Sequence, residues 1–321
     1  MLGCVFCLAS SRIQMGHVTN HRLRYGDLAA NLHSIRNTRL FESETSMEIQ
    51  RLAAFTLDGQ GGNPAGVVIG DALPSGPEMQ QIAADVGYSE TAFAAREKDG
   101  FRVRYFAPEG EVAFCGHATI ALGAALGRSF GEGHYQLYLN HADISVSAKE
   151  VGGNWGATLV SPESSYSPMA PAVLDEVLQL FGLTHNDLDD RILPAMANAG
   201  AAHLLLPVGR HETVRDMEYS FDGGAAFMQA QELVTINLFH REPTGRIHSR
   251  NAFAGHGVYE DPATGAAAAA LAGYLRDTGV ETGEFEVIQG VDMGFPSRLR
   301  VRALVGNGAS IEISGLTRTI E

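Results

Sequence analysis

Cysteine is scarce: the 321-residue chain has three, at Cys4, Cys7 and Cys115. Three thiols cannot build a disulfide framework, which fits a reducing cytoplasm as the compartment. Cys4 and Cys7 form a CxxC, but a metal site needs about four ligands and no second pair follows, so neither a metal nor a cofactor is expected. Long apolar runs are also missing, since none approaches the roughly 18 residues of a membrane helix. Met1 to Leu8 has neither the basic flank nor the apolar length of a secretory signal. Basic charge is in deficit, with 23 Lys and Arg against 37 Asp and Glu for a net −14. A nucleic-acid backbone is therefore excluded as the natural partner, and a small molecule fits better.

What is present suffices for two packed cores, because 45% of the residues are hydrophobic. Residues 1–46 stand apart. They hold five arginines, three acids and no sustained period, a net of about +2 on a chain otherwise strongly acidic. They read as a disordered extension or an upstream start codon, and their removal is expected to leave folding unchanged. From Met47 the pattern is one of short strands broken by glycine turns, with an N-terminal lobe over residues 47–160 and a C-terminal lobe over 161–321. The last strand is free to return to the first lobe. Ser161 to Pro171, with three prolines and four serines, is the linker candidate.

Two segments break the strand pattern. Ala118 to Leu126 is small or apolar on every side except Thr119, and a helix that is apolar all round is a buried one. Ala266 to Leu275 repeats the design. Each is preceded by a polar, glycine-bearing entrance: Cys115, Gly116 and His117 in the first case, Asp261-Pro262-Ala263-Thr264-Gly265 in the second. Helix starts leave backbone N–H groups unpartnered and favour an anion, so a carboxylate suits both. Mostly strands with one buried helix per half is an α+β plan, not alternating βαβ units.

Few side chains there can carry chemistry. Glu90, in the strand-like Ser89 to Ala94, reads either as a solvent-facing acid or as a general base that takes and returns a proton. His117 reads as a satisfied core histidine or as a neutral donor or proton relay. Cys115, at a helix entrance, is a candidate for a thiol of lowered pKa, with a small buried residue as the plainer alternative. Asp261 before Pro262 suits a helix cap on stability alone, while Glu260 and Gly265 beside it complete a polar entrance.

Together, Gly62-Asn63-Pro64-Ala65, Ser89-Glu90-Thr91-Ala92-Phe93, Cys115-Gly116-His117-Ala118-Thr119, Asp261-Pro262-Ala263-Thr264-Gly265 and Gln289-Gly290 with Gly294, Pro296 and Ser297 form an ordered set. In order and spacing it resembles the phenazine-biosynthesis PhzF-like family, from about Met47 to Leu304. The resemblance implies a diaminopimelate-epimerase-like fold of two similar lobes, each a sheet around a central helix, with the site in the cleft between. It further implies proton shifting without a cofactor. Glu90 would abstract and redeliver the proton, and His117 and Asp261 would bind and orient a small carboxylated metabolite. Backbone near Gly116 and Gly265 would hold the carboxylate, with Asn63, Cys115 and Ala266 as further substrate-binding positions. A homodimer is implied as well. Two departures bear on the substrate: phenazine-type members carry a serine where this chain has Ala266, and an arginine where it has Phe295. The alternatives are a two-base racemase or epimerase, and a binding protein that has lost turnover.

Overall fold

The computed structural model describes residues 48–321, so the leader read at residues 1–46 lies outside the described residues. The first half runs β1 (Ile49–Ala54), β2 (Asn63–Gly70), α1 (Gly76–Val86), β3 (Thr91–Glu97), β4 (Gly100–Ala107), β5 (Gly110–Val112), α2 (Gly116–Phe130), β6 (Gly133–Tyr138), β7 (Asp143–Val151) and β8 (Asn154–Val160). Its pairing is antiparallel except at β2–β3 and β4–β6, where a helix makes each crossover. The second half runs β9 (Ser165–Pro168), α3 (Pro171–Leu180), β10 (Ala195–Asn198), β11 (Ala202–Pro207), α4 (His211–Arg215), α5 (Phe221–Ala230), β12 (Thr235–Arg241), β13 (Ile247–Ala252), β14 (Glu260–Asp261), α6 (Gly265–Asp277), β15 (Glu284–Gln289), β16 (Ser297–Ala303) and β17 (Ile311–Thr319). The same pattern recurs: β11–β12 and β13–β15 are its parallel pairs, and β14 folds back on β13 as β5 does on β4. The halves are therefore built alike, in an α+β fold of two similar lobes.

Strand β17 joins them. It pairs with β16 through Ile311 to Ser314, with β8 through Glu312 to Leu316, and with β1 through Thr317 to Thr319. The last two pairings close β1, β2, β3, β4, β6, β7, β8 and β17 into a ring around α2. In the second half β9, β10, β11, β12, β13, β15, β16 and β17 form a sheet that curves round α6, with no pairing between β9 and β17 among the described residues to close it.

The small residues of the two helices explain the wrapping. His117 to Gly127 are all buried in α2, as are Ala267 to Leu275 in α6. A Cβ at Gly123 would sit 2.7 Å from Val146 Cγ2 and 2.8 Å from Ala157 Cβ, and one at Gly127 would meet the Trp155 ring at 2.5 Å. The absence of side chains at these two turns lets β7 and β8 close on the helix. One core cluster runs from Ile120, Leu122 and Leu126 of α2 through Ile311 and Ile313 of β17 to Leu271 and Leu275 of α6. The outer helices cover the other sheet faces: α1 packs Met79 and Ala83 on Val68, Phe93 and Phe106, and α3 and α5 cover Leu204, Leu206, Ile236 and Leu238. Strands buried on both faces account for the near-continuous apolar runs.

Two readings are revised. Ser165–Pro168, within the linker candidate, is strand β9, paired with β10 and anchored where Tyr166 meets the Tyr274 ring edge. Glu90 is not within a strand but is the residue before β3, its carbonyl accepting from Gly66 N at 3.1 Å. Among the described residues no helix is long and apolar enough to cross a membrane.

Candidate active site

Cys115 occupies the N-cap position of α2 without a side-chain cap, so it leaves the first N–H groups of the helix free of side-chain acceptors. Its carbonyl is held instead: Thr119 Oγ1 donates to it at 2.6 Å, and Tyr105 OH donates to Thr119 Oγ1 at 2.7 Å. His117 follows on the first turn, its Nε2 3.3 Å from Ser89 Oγ and 3.3 Å from Glu90 Oε2. The side chain of Glu90 is 21% exposed against 8% for His117, so it is the more open of the two. Oε2 itself is buried and has no hydrogen-bond partner among the described residues, because its approach to His117 lacks the alignment of a hydrogen bond. An unpartnered carboxylate oxygen is costly to bury and is what a proton acceptor needs.

The Cys115 thiol lies 3.4 Å from His117 Nδ1 and 3.8 Å from Nε2. The expectation of a lowered pKa is overturned: burial pushes the thiol up, and the neighbouring Glu90 charge adds to it. Both outweigh the helix start. Glu90, Cys115 and His117 nevertheless place an oxygen, a sulfur and a nitrogen within 4.8 Å of one another, a grouping that no spacing in the sequence announces.

Asp261 comes from the other half. It is the last residue of β14, and Thr264, not Asp261, is the N-cap of α6, again without a side-chain cap. The pure-cap reading of Asp261 is thus corrected. Its carboxylate accepts from Asn63 Nδ2 at 2.9 Å on one oxygen and from Thr264 Oγ1 at 2.6 Å on the other. Burial raises its pKa, with the His117 charge and these hydrogen bonds opposing and the Glu90 charge assisting. Asp261 therefore feels both residues of the first entrance, and Asn63, which also donates to Ala263 O at 3.3 Å, ties β2 to the second. Gly116 and Gly265 are the first residues of the two helices, and Ala266 is the half-buried second residue of α6.

Two supports were not assigned from sequence. Gln289 is buried and clamps the second entrance, donating to Asp261 O at 2.6 Å and Thr264 Oγ1 at 3.1 Å while accepting from Thr264 N at 3.2 Å. The turn after it needs Gly290: φ is +73°, and a Cβ would lie 2.7 Å from Pro262 O and 2.3 Å from Phe295 O. Glu260 is withdrawn from the site, for it is buried and paired with Arg250 at 2.9 and 2.5 Å. Burial raises the Glu260 pKa against the pull of that guanidinium. A surface hollow of about 630 Å³ beside this pair is lined by Arg215, Asp216 and Tyr259 among others, but Arg250 Nη1 is spent on the carbonyls of Arg215 and Met217.

The chain is similar to proteins named as isomerases and to solved structures of the same fold. An uncharacterized isomerase of Deinococcus radiodurans is 29% identical over 286 residues, 85% of this chain and 92% of that protein. The trans-2,3-dihydro-3-hydroxyanthranilate isomerase of Pseudomonas aeruginosa is 29% identical over 272 residues, 82% of this chain and 93% of its own length. A crystal structure of a PhzF-family phenazine biosynthesis protein from Bacillus anthracis shares the fold with a TM-score of 0.76 at 23% identity, covering 86% of this chain and 97% of that one. Residues 52–320 match the family described as phenazine biosynthesis-like protein, PhzC-PhzF, and the chain belongs to that family.

Proposed function

We propose that the protein is a cofactor-independent isomerase that moves a proton on a small carboxylated metabolite, with Glu90 as the general acid and base. The observation that carries the reading is the Glu90 side chain, partly open to solvent yet holding one buried, unpartnered oxygen at the entrance of α2. In the reaction Glu90 takes a proton from a C–H beside a carbonyl or conjugated system. The electron pair moves into that system, and the same carboxyl group returns the proton to another carbon. The uncapped helix starts at Gly116 and Gly265 supply N–H groups for the substrate carboxylate and the developing charge. His117 and Asp261 orient the substrate from either side. The naming of related proteins as isomerases, one of them acting on a dihydro-hydroxyanthranilate, supports the reaction class.

A two-base racemase or epimerase would need a second proton carrier. A thiol has no counterpart at the second entrance, where Pro262 stands, and both oxygens of Asp261 already accept hydrogen bonds. Both facts favour a single base. Proton NMR in deuterated water, on a panel of small carboxylic and amino acids with wild type and Glu90→Gln, tests the reading. Exchange of one C–H by wild type alone is the expected result. Exchange by both proteins would move the base to Asp261 or Cys115, and no exchange across the panel would remove the support for turnover.

A further inference from the structure

We propose that Gln289 is a positioning residue of the active site: it fixes the Thr264 hydroxyl on Asp261 and so keeps that hydroxyl off the start of α6, which stays open to the substrate carboxylate. The carboxylate site at that helix start is the one proposed above, and the role of Gln289 rests on it. The donors and acceptors allow one direction only. Gln289 Oε1 accepts from Thr264 N at 3.2 Å, so the amide nitrogen is the end that donates to Asp261 O at 2.6 Å and to Thr264 Oγ1 at 3.1 Å. A hydroxyl has one hydrogen, and Thr264 Oγ1, accepting from Gln289, sends its own to Asp261 Oδ2 at 2.6 Å. The chain thus runs from Gln289 through Thr264 to the carboxylate.

The other natural partner of Thr264 Oγ1 is its own helix. Threonine is among the preferred N-cap residues, because its oxygen accepts from an N–H of the first turn, and the Thr264 backbone has the extended conformation of such a cap. Yet no side-chain cap is made. Held between Gln289 and Asp261, Oγ1 is turned from the N–H groups of α6, which keep their capacity for an anion. Gln289 is itself fixed. It is 1% exposed, and Gly290 after it, at φ +73°, brings the end of β15 so close to the Asp261 turn that a Cβ there would lie 2.7 Å from Pro262 O. Both amide hydrogens of Gln289 are spent within that turn, so it acts through Thr264 and not on the substrate itself.

Carbon-13 NMR titration of the Asp261 carboxyl in the aspartate-labelled full chain, with the signal identified by its absence from Asp261→Asn, tests the hydrogen-bond chain without substrate. Burial raises the Asp261 pKa and the Thr264 hydrogen bond opposes that rise. Gln289→Met, which keeps the length and removes the hydrogen-bonding groups, should therefore move the midpoint to higher pH. Thr264→Val should do the same, and the double variant should move it no further than Thr264→Val alone. Circular dichroism checks that each variant is folded, and Gln289→Ala replaces the methionine variant if that one is not. The proton-exchange assay then tests the open helix start. Gln289→Met frees Thr264 to cap α6 and should raise KM about 2- to 30-fold, the worth of an N-cap, and adding Thr264→Val should bring KM back down. An unmoved midpoint in a folded Gln289 variant, shifts that add in the double variant, or a KM that Thr264→Val raises further would overturn the proposal. Absence of exchange by wild type would instead remove the reading of turnover, and the titration would still decide whether Gln289 acts on Asp261 through Thr264.

Discussion

Glu90 and Cys115 both face the His117 imidazole, and the difference between them favours Glu90 as the proposed base. The Glu90 side chain is partly open to solvent, whereas the thiol is buried and held in its protonated form by burial and by Glu90 itself. Glu90→Gln is therefore expected to lower the exchange rate about 10²–10⁴-fold, the usual contribution of a general base, with binding of the exchanging acid retained in a calorimetric titration. Cys115→Ser should cost less than about tenfold, since it removes no charged group from the site. Equal losses would favour a thiol mechanism. Asn63→Ala should leave one Asp261 oxygen without its donor, costing about 1–3 kcal/mol in urea unfolding, and should lower the exchange rate as Asp261 loses its orientation. Glu90, His117 and Asp261 were legible in the sequence because each sits in a short tag. The partnership of Asn63 with Asp261 was not, for 198 positions separate them and only the closing of the sheet brings them together. Gln289 stood in a tag as well, but its clamp on Asp261 and Thr264 was not legible.

At the scale of the element, the buried helices were the most legible features, because a run apolar on all faces has no other place in a folded chain. Strands β6 and β9 carry weaker signals. In β6 Leu137 is the single buried residue, and in β9 none is, so pairing with neighbours holds them rather than an apolar pattern. The packing of α2 makes a prediction contrary to helix propensity. Alanine is better than glycine in a helix by about 1 kcal/mol, yet a Cβ at Gly123 would press on Val146 and Ala157 at under 3 Å. Overpacking of this kind costs about 1–3 kcal/mol, so Gly123→Ala is expected to lower the urea midpoint. A raised midpoint would show that β7 and β8 yield to the helix without strain.

For the whole molecule, sharing β17 between the two halves has a consequence for unfolding. Neither the ring around α2 nor the sheet around α6 is complete without it, and one apolar core runs through Ile311 and Ile313 to both helices. Residues 48–321 should lose structure in one transition. Two groups placed in different halves allow the test. Trp155, the single tryptophan of the chain, packs against Gly127 in the first half. His203, on β11 in the second, is fully buried and has its pKa pushed down to about 3 by that burial. Thr235 Oγ1 donates to Asn251 Oδ1 at 2.9 Å and so accepts from His203 Nδ1 at 2.8 Å. Nε2 then carries no proton and has no partner among the described residues. Because the folded value lies below the unfolded one, stability is fully present above pH about 6.5 and is lost as the pH falls toward 3. The whole window is worth on the order of 5 kcal/mol at most. Urea unfolding between pH 7 and 4 should thus show a falling midpoint, with Trp155 fluorescence and far-ultraviolet circular dichroism coincident at each pH. His203→Gln should flatten that fall as seen by Trp155 in the opposite half. A fluorescence transition that ignores the substitution would mean that the halves unfold independently, and that β17 links them without coupling them.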